Sequence, residues 1–237
     1  MRKSKSLLAF VLFSATLAYG DDSMIREGLQ TLNTMARGPQ VACEDITKVP
    51  LSAGYSGKGA DCSSFIRADG SLGILGTTIV SHMQKVNGPK FLENNLPGVQ
   101  SFCPRWPQLT KTEKEYFWVW LIAAISFKET TCGANKVNRA ATHGTAIGHL
   151  QLNKTRKDRY WRGGDSGNSC GVQDIAPDQA NIKCGLEILN EQLKGRNGAY
   201  EGNGNLFGRG ANSYWQHLRL RNGGGIIKLL KDYPLCK

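Results

Sequence analysis

The sequence predicts a mainly α-helical fold with long loops tied by disulfides, and three observations carry that expectation. Thr112–Glu129 holds ten consecutive apolar residues, Tyr116 to Ile125, behind a Thr112–Glu115 pair at capping-box spacing. A bilayer needs roughly 20 such residues, so the run reads as a helix surrounded by protein. No stretch shows the period-2 alternation that a substantial sheet requires. Seven cysteines (Cys43, Cys62, Cys103, Cys132, Cys170, Cys184, Cys236) are spread through the chain, most of them in polar, Gly-rich stretches.

Residues 1–20 read as a secretory signal peptide. Arg2, Lys3 and Lys5 form its basic start, Leu7 to Leu17 its apolar core, and Ala18-Tyr19-Gly20 the small-residue cleavage site. Ser23 to Arg37 reads as an amphipathic helix with Ile25, Leu29, Leu32 and Met35 on one face, stopped by Gly38-Pro39. From residue 40 to about 76 the chain reads as loop with short elements. Gly70, Gly73 and Gly76 there suit turns or a close backbone approach rather than a phosphate. A further helix is expected over Ile74–Val86. Four prolines (Pro89, Pro97, Pro104, Pro107) then exclude a long element before Leu109.

After the central helix, Ala140–Leu152 is rich in small residues, and 153–174 reads as a long surface loop. Asp178–Leu193 is expected to be a helix following Pro177, buried through Ile182, Leu189 and Leu193. Residues 195–210 read as loop, and Ala211–Leu220 and Ile226–Leu230 as short helical segments. The division expected is an N-terminal extension, 21–108, packing on a domain at 109–237.

With an export signal, the cysteines point to disulfides and a secreted or periplasmic protein. Their spacing contains no CxxC and only four His are present, so no metal and no cofactor are expected. The formal charge is +11; without the three cations of the signal it is +8. Such a protein is drawn to polyanions, and wall polymers fit better than nucleic acid, since no long Lys/Arg run is interleaved with aromatics. No transmembrane segment and a monomeric chain are expected.

Glu129 closes the apolar helix. A helix C-terminus favours cations, and burial disfavours a carboxylate, so both raise its pKa. A carboxyl group that keeps its proton is a general acid. A Glu at a helix end is otherwise ordinary solvated surface, so the assignment needs support from elsewhere in the chain.

That support is a resemblance. Ala123–Thr130 is similar to the helix end of soluble lytic transglycosylases and goose-type lysozymes, where an apolar helix ends in Glu followed by Ser. Ala146-Ile-Gly-His-Leu-Gln-Leu152 resembles their second motif, and Asn181-Ile-Lys-Cys-Gly185 with Ile188-Leu189 their third. Ala211-Asn-Ser-Tyr-Trp215 echoes the fourth. The resemblance spans about residues 112–220 and implies a lysozyme-like helical domain. It also implies cleavage of the β-1,4 bond between N-acetylmuramic acid and N-acetylglucosamine in peptidoglycan glycan strands. It places Glu129 on the catalytic acid and Thr130, His149, Leu150, Gln151 and Tyr214 on or near the substrate groove.

The departures are informative. Thr145 stands for Gly and His149 for Leu, which suggests a groove preferring altered, for instance N-deacetylated, glycan. No Asp or Glu occurs between Glu129 and Asp158, although two-carboxylate glycosidases place one across the bond. Asp158, Asp165, Asp174 and Asp178 are the candidates, and a single-acid site is the alternative. The expected activity is that of a lysozyme. The alternatives are a lytic transglycosylase leaving anhydro-muramyl ends and, from another class, a non-catalytic wall-binding or inhibitor protein.

Overall fold

The computed structural model describes residues 50–51, 55, 60–86, 89–96, 98–141, 144–153, 170, 175–194, 206–207, 213–219 and 224–237. All of these belong to one compact unit, Ile46–Lys237. The expected signal peptide, the expected Ser23–Arg37 helix, Cys43 and most of the 153–174 and 195–210 segments lie outside the described residues. The described part is mostly helical. It has four α-helices, α1 (Ile74–Met83), α2 (Lys111–Thr130), α3 (Asp178–Lys194) and α4 (Gly224–Lys231). A small antiparallel sheet lies between α2 and α3 in sequence, with strands β1 (Val137–Asn138), β2 (Ala146–Ile147) and β3 (Leu152–Asn153) in that order.

The N-cap of helix α2 lies two residues before the expected one. Thr110 is the N-cap: its hydroxyl accepts from Glu113 N at 3.3 Å, and Glu113 Oε2 accepts from Thr110 N at 2.7 Å. This reciprocal pair satisfies two otherwise orphaned donors. Glu115 does other work, accepting from Gln84 Nε2 at 3.1 Å behind α1. From Tyr116 to Ser126 every side chain of α2 is buried. Each large apolar one contributes on the order of 1.5–3 kcal/mol. The helix is covered by α1 on one side and α4 on another, and α1 in turn packs on α3.

Polar ends of the aromatic side chains are satisfied throughout this core, as buried donors require. Trp118 Nε1 donates to Phe91 O at 2.6 Å and Trp106 Nε1 to Glu93 O at 2.8 Å. Tyr55 O–H donates to Trp120 O at 3.0 Å and Tyr233 O–H to Glu113 O at 2.7 Å. The glycine pair before and within α1 serves close approach: a Cβ on Gly73 would stand 2.3 Å from Ser63 O, and one on Gly76 2.2 Å from Phe65 O.

Three disulfides join Cys62 to Cys132, Cys103 to Cys236 and Cys170 to Cys184. They fit a protein of an oxidising compartment. No described helix is long and apolar enough to cross a membrane. The expected helix at Ala211–Leu220 is, where described, a single 3-10 turn at Gln216–Leu218, flanked by extended residues Trp215 and Arg219. The sheet was not expected. Its strands are two residues long, too short for any alternation to show.

Candidate active site

Helix α2 ends where the site begins. Thr131 (φ 53°) and Cys132 (φ 61°) both take the left-handed conformation, with Thr131 N donating to Phe127 O at 3.0 Å and Cys132 N to Ser126 O at 3.3 Å. Such a cap is common, but Gly usually supplies it. A β-branched residue there costs on the order of 1–2 kcal/mol. The Cys62–Cys132 bridge fastens this turn to the segment before α1. The chain is thereby bent sharply after Glu129, and its side chain projects into a cleft of about 370 Å³.

One wall of the cleft is the end of α2: Lys128, Glu129, Thr130 and Thr131. The other is β1 with Lys136, Val137 and Asn138, and Gln151 forms part of the floor. Val137 is exposed despite its apolar side chain. Glu129 is 20% exposed, and burial raises its pKa from the ordinary 4.5 to about 7. Its ion-pair partner among the described residues is His217, with Nε2 at 3.9 Å from Oε1. Burial, then the neighbouring Lys128, lower the pKa of His217. No other carboxylate lines the described part of the cleft. Asp158, Asp165 and Asp174 lie outside the described residues, and Asp178 faces His149 instead.

The second motif folds as a β-hairpin. Ile147 pairs with Leu152 and Ala146 with Asn153, and β1 adds Val137 opposite Ile147. The third motif holds its loop. Asn181 Oδ1 accepts from Leu150 N at 2.9 Å, while Nδ2 donates to Ile147 O at 3.0 Å and to Ile175 O at 3.2 Å. Gly185 leaves room for Leu150, whose Cδ1 lies 2.2 Å from where a Cβ would be. The echo of the fourth motif braces the same hairpin: Trp215 Nε1 donates to Leu150 O at 3.0 Å, and Asn153 N donates to Tyr214 Oη at 2.8 Å.

Of the residues singled out by sequence, Glu129, Thr130 and Gln151 come together at the cleft. The Thr130 hydroxyl turns inward, donating to Ser126 O at 2.9 Å. The Gln151 amide donates to Lys136 O at 3.1 Å and Gly148 O at 3.0 Å, so it stabilises the turn as well as lining the cleft. Leu150 is fully buried, and half-buried Tyr214 stands behind β3.

His149 is 2% exposed and does not line the cleft. Its Nδ1 lies 3.2 Å from Ser126 Oγ, its Nε2 3.7 Å from Asp178 Oδ1, and its ring packs edge-on against Phe65. Burial lowers its pKa and Asp178 opposes that shift. Lys128, Lys136, Asn138 and His217 were not singled out by sequence. For His217 the one available signal was its place three residues beyond Tyr214 in the fourth-motif echo.

The architecture is thus a mainly helical, disulfide-tied domain presenting a half-buried carboxylic acid in an open cleft. Solved structures of Bd0314 DslA, a Bdellovibrio protein, share this fold. A wild-type form matches with a TM-score of 0.53 at 21% identity, covering 69% of this chain and 91% of that one. A Glu-to-Gln mutant of the same protein matches with a TM-score of 0.54 at 20% identity over the same shares. No protein-family model and no curated protein matches the chain.

Proposed function

We propose that the chain is an exported peptidoglycan glycosidase, a muramidase with Glu129 as general acid. One observation carries the reading: a carboxyl group at the end of a buried apolar helix, half-buried in an open cleft, whose proton stays on to about pH 7. A group of that kind donates to a glycosidic oxygen near neutral pH and supports the leaving sugar as it departs. The motif resemblance, the disulfides and the shared fold support the same reading. The walls supplied by β1, Gln151 and the end of α2 suit a polar, extended strand.

Incubation of the mature protein with purified sacculi, followed by mass analysis of the released fragments, tests this. Muropeptides are expected from the wild type and none from Glu129→Gln. Release by that variant overturns the assignment. The same spectra separate hydrolysis from lytic transglycosylation, whose products differ by one water. The transglycosylase reading draws on one observation, that no second carboxylate lines the described part of the cleft. A non-catalytic wall binder would sediment with sacculi and release nothing.

A preference for N-deacetylated glycan is a separate proposal. His149 gives it no support from its buried position, and Lys128 and Lys136 on the cleft walls repel an amine. Rates on acetylated and deacetylated walls decide it.

A further inference from the structure

The acid has a neighbour that the mechanism above does not use. His217 sits in the 3-10 turn Gln216–Leu218, with Nε2 3.9 Å from Glu129 Oε1. Its seat is firm. Leu218 N donates to Trp215 O at 3.0 Å, and Arg219 N to Gln216 O at 3.1 Å. The Arg219 guanidinium donates twice to Ser213 O at 3.3 Å, and the indole of Trp215 is pinned to Leu150 O. The imidazole is 36% exposed against 20% for the acid, so it is the more open of the two to solvent.

We propose that His217 is the positioning and proton-exchange partner of Glu129, steadying the carboxyl group and returning its proton from solvent after each turnover. The inference rests on the glycosidase reading. A base that activates water from the far side of the sugar would stand roughly 6.5–9.5 Å from the acid. At 3.9 Å, His217 acts on Glu129 itself. Contacts of this kind are often long in unliganded sites and tighten around substrate.

The charges facing His217 fix where the shared proton rests. From α2 come Glu129 and Lys128; burial first, and then Lys128, lower the pKa of the imidazole and favour its neutral form. From its own turn, Arg219 is engaged with Ser213 O. From α4, which packs against the turn, Lys228 is exposed. Between the lowered imidazole pKa and about pH 7, the resting pair is therefore a neutral imidazole beside a protonated carboxyl group. In turnover Glu129 gives its proton to the glycosidic oxygen as the C1–O bond breaks. Water adds its oxygen to C1 and releases one proton to solvent. His217 takes up one proton at Nε2 and passes it to the Glu129 carboxylate, restoring both groups.

Two measurements test this. In the wild type, NMR titration of the His217 ring is expected to show two inflections: its own, below 6.5, and a second near pH 7 where Glu129 ionises. Glu129→Gln should remove the upper one, and a single unchanged transition in both proteins overturns the pairing. In kinetics on sacculi, His217→Ala should lower kcat about tenfold or more with KM little changed, and added imidazole should restore it. His217→Gln, checked by circular dichroism for folding, should show the same loss without rescue. Wild-type kcat in both variants overturns the role. If the wild type releases nothing from sacculi, the glycosidase reading fails, and the titration alone decides whether the two groups share a proton.

Discussion

Asn181 occupies the space that a side chain on Gly148 would need: a Cβ built there would stand 2.5 Å from Asn181 Nδ2, on a residue whose φ is +72°. The two motifs are therefore a single joint, in which the third supplies the amide and the second the vacancy. Gly148→Ala is expected to cost about 2–3 kcal/mol, from strain and displacement of the amide. Asn181→Ala should cost a similar amount, by leaving Leu150 N and Ile147 O without their partner. Because one defect includes the other, the double variant should lose at least about 1 kcal/mol less than the sum, measured by urea unfolding. Strict additivity would contradict the joint.

The acid weakens the fold that holds it. Glu129 ionises at about 7 when folded and near 4.5 otherwise, so the folded state is penalised as pH rises through that window. The penalty is absent below 4.5 and complete above about 7, where it reaches roughly 3 kcal/mol. Glu129→Gln should accordingly be more stable than the wild type at pH 8, with the gap closing towards pH 4.5. Cleavage by the wild type should fall away above about pH 7.

His149 acts in the opposite sense. Its folded pKa lies below 6.5, so the unfolded chain binds a proton first and stability declines as pH falls below 6.5. His149→Gln should flatten that decline in denaturant titrations run downwards from pH 6.5. Its activity should change little beyond the effect on stability, since His149 is buried beneath the cleft.

The bridges are expected to separate stability from catalysis. Removing Cys62–Cys132, which spans 70 residues, should cost about 4 kcal/mol. It should also lower kcat under conditions where the variant is folded, because Cys132 anchors the left-handed turn two residues beyond Thr130. Removing Cys103–Cys236 should cost a comparable stability, yet leave kcat unchanged, since it ties the segment before α2 to the C-terminus.

How far the sequence could be read depends on the range of the interactions. Glu129 and its helix were legible because ten apolar residues in a row leave few other structures. The capping box was placed two residues late because Thr110-Glu113 and Thr112-Glu115 share one spacing, and only the geometry of the preceding turn chooses between them. The hairpin of the second motif was invisible to periodicity, its strands being two residues each. His149 looked like a groove residue because its partners Ser126, Phe65 and Asp178 come from three distant segments. His217 was missed for the same reason: nothing local links it to Glu129.

The packing of α2 has a spectroscopic consequence. Trp118 and Trp120 lie on that helix, Trp106 just before it and Trp215 against the hairpin, its indole bonded to Leu150 O, and all four are buried. Indoles shielded in this way emit at short wavelength and are insulated from aqueous quenchers. Their light comes from the elements that position Glu129. The protein thus carries its own optical gauge: in a Trp161→Phe background, a red shift in the emission of these four indoles would signal opening of the scaffold beneath the acid, with no label attached.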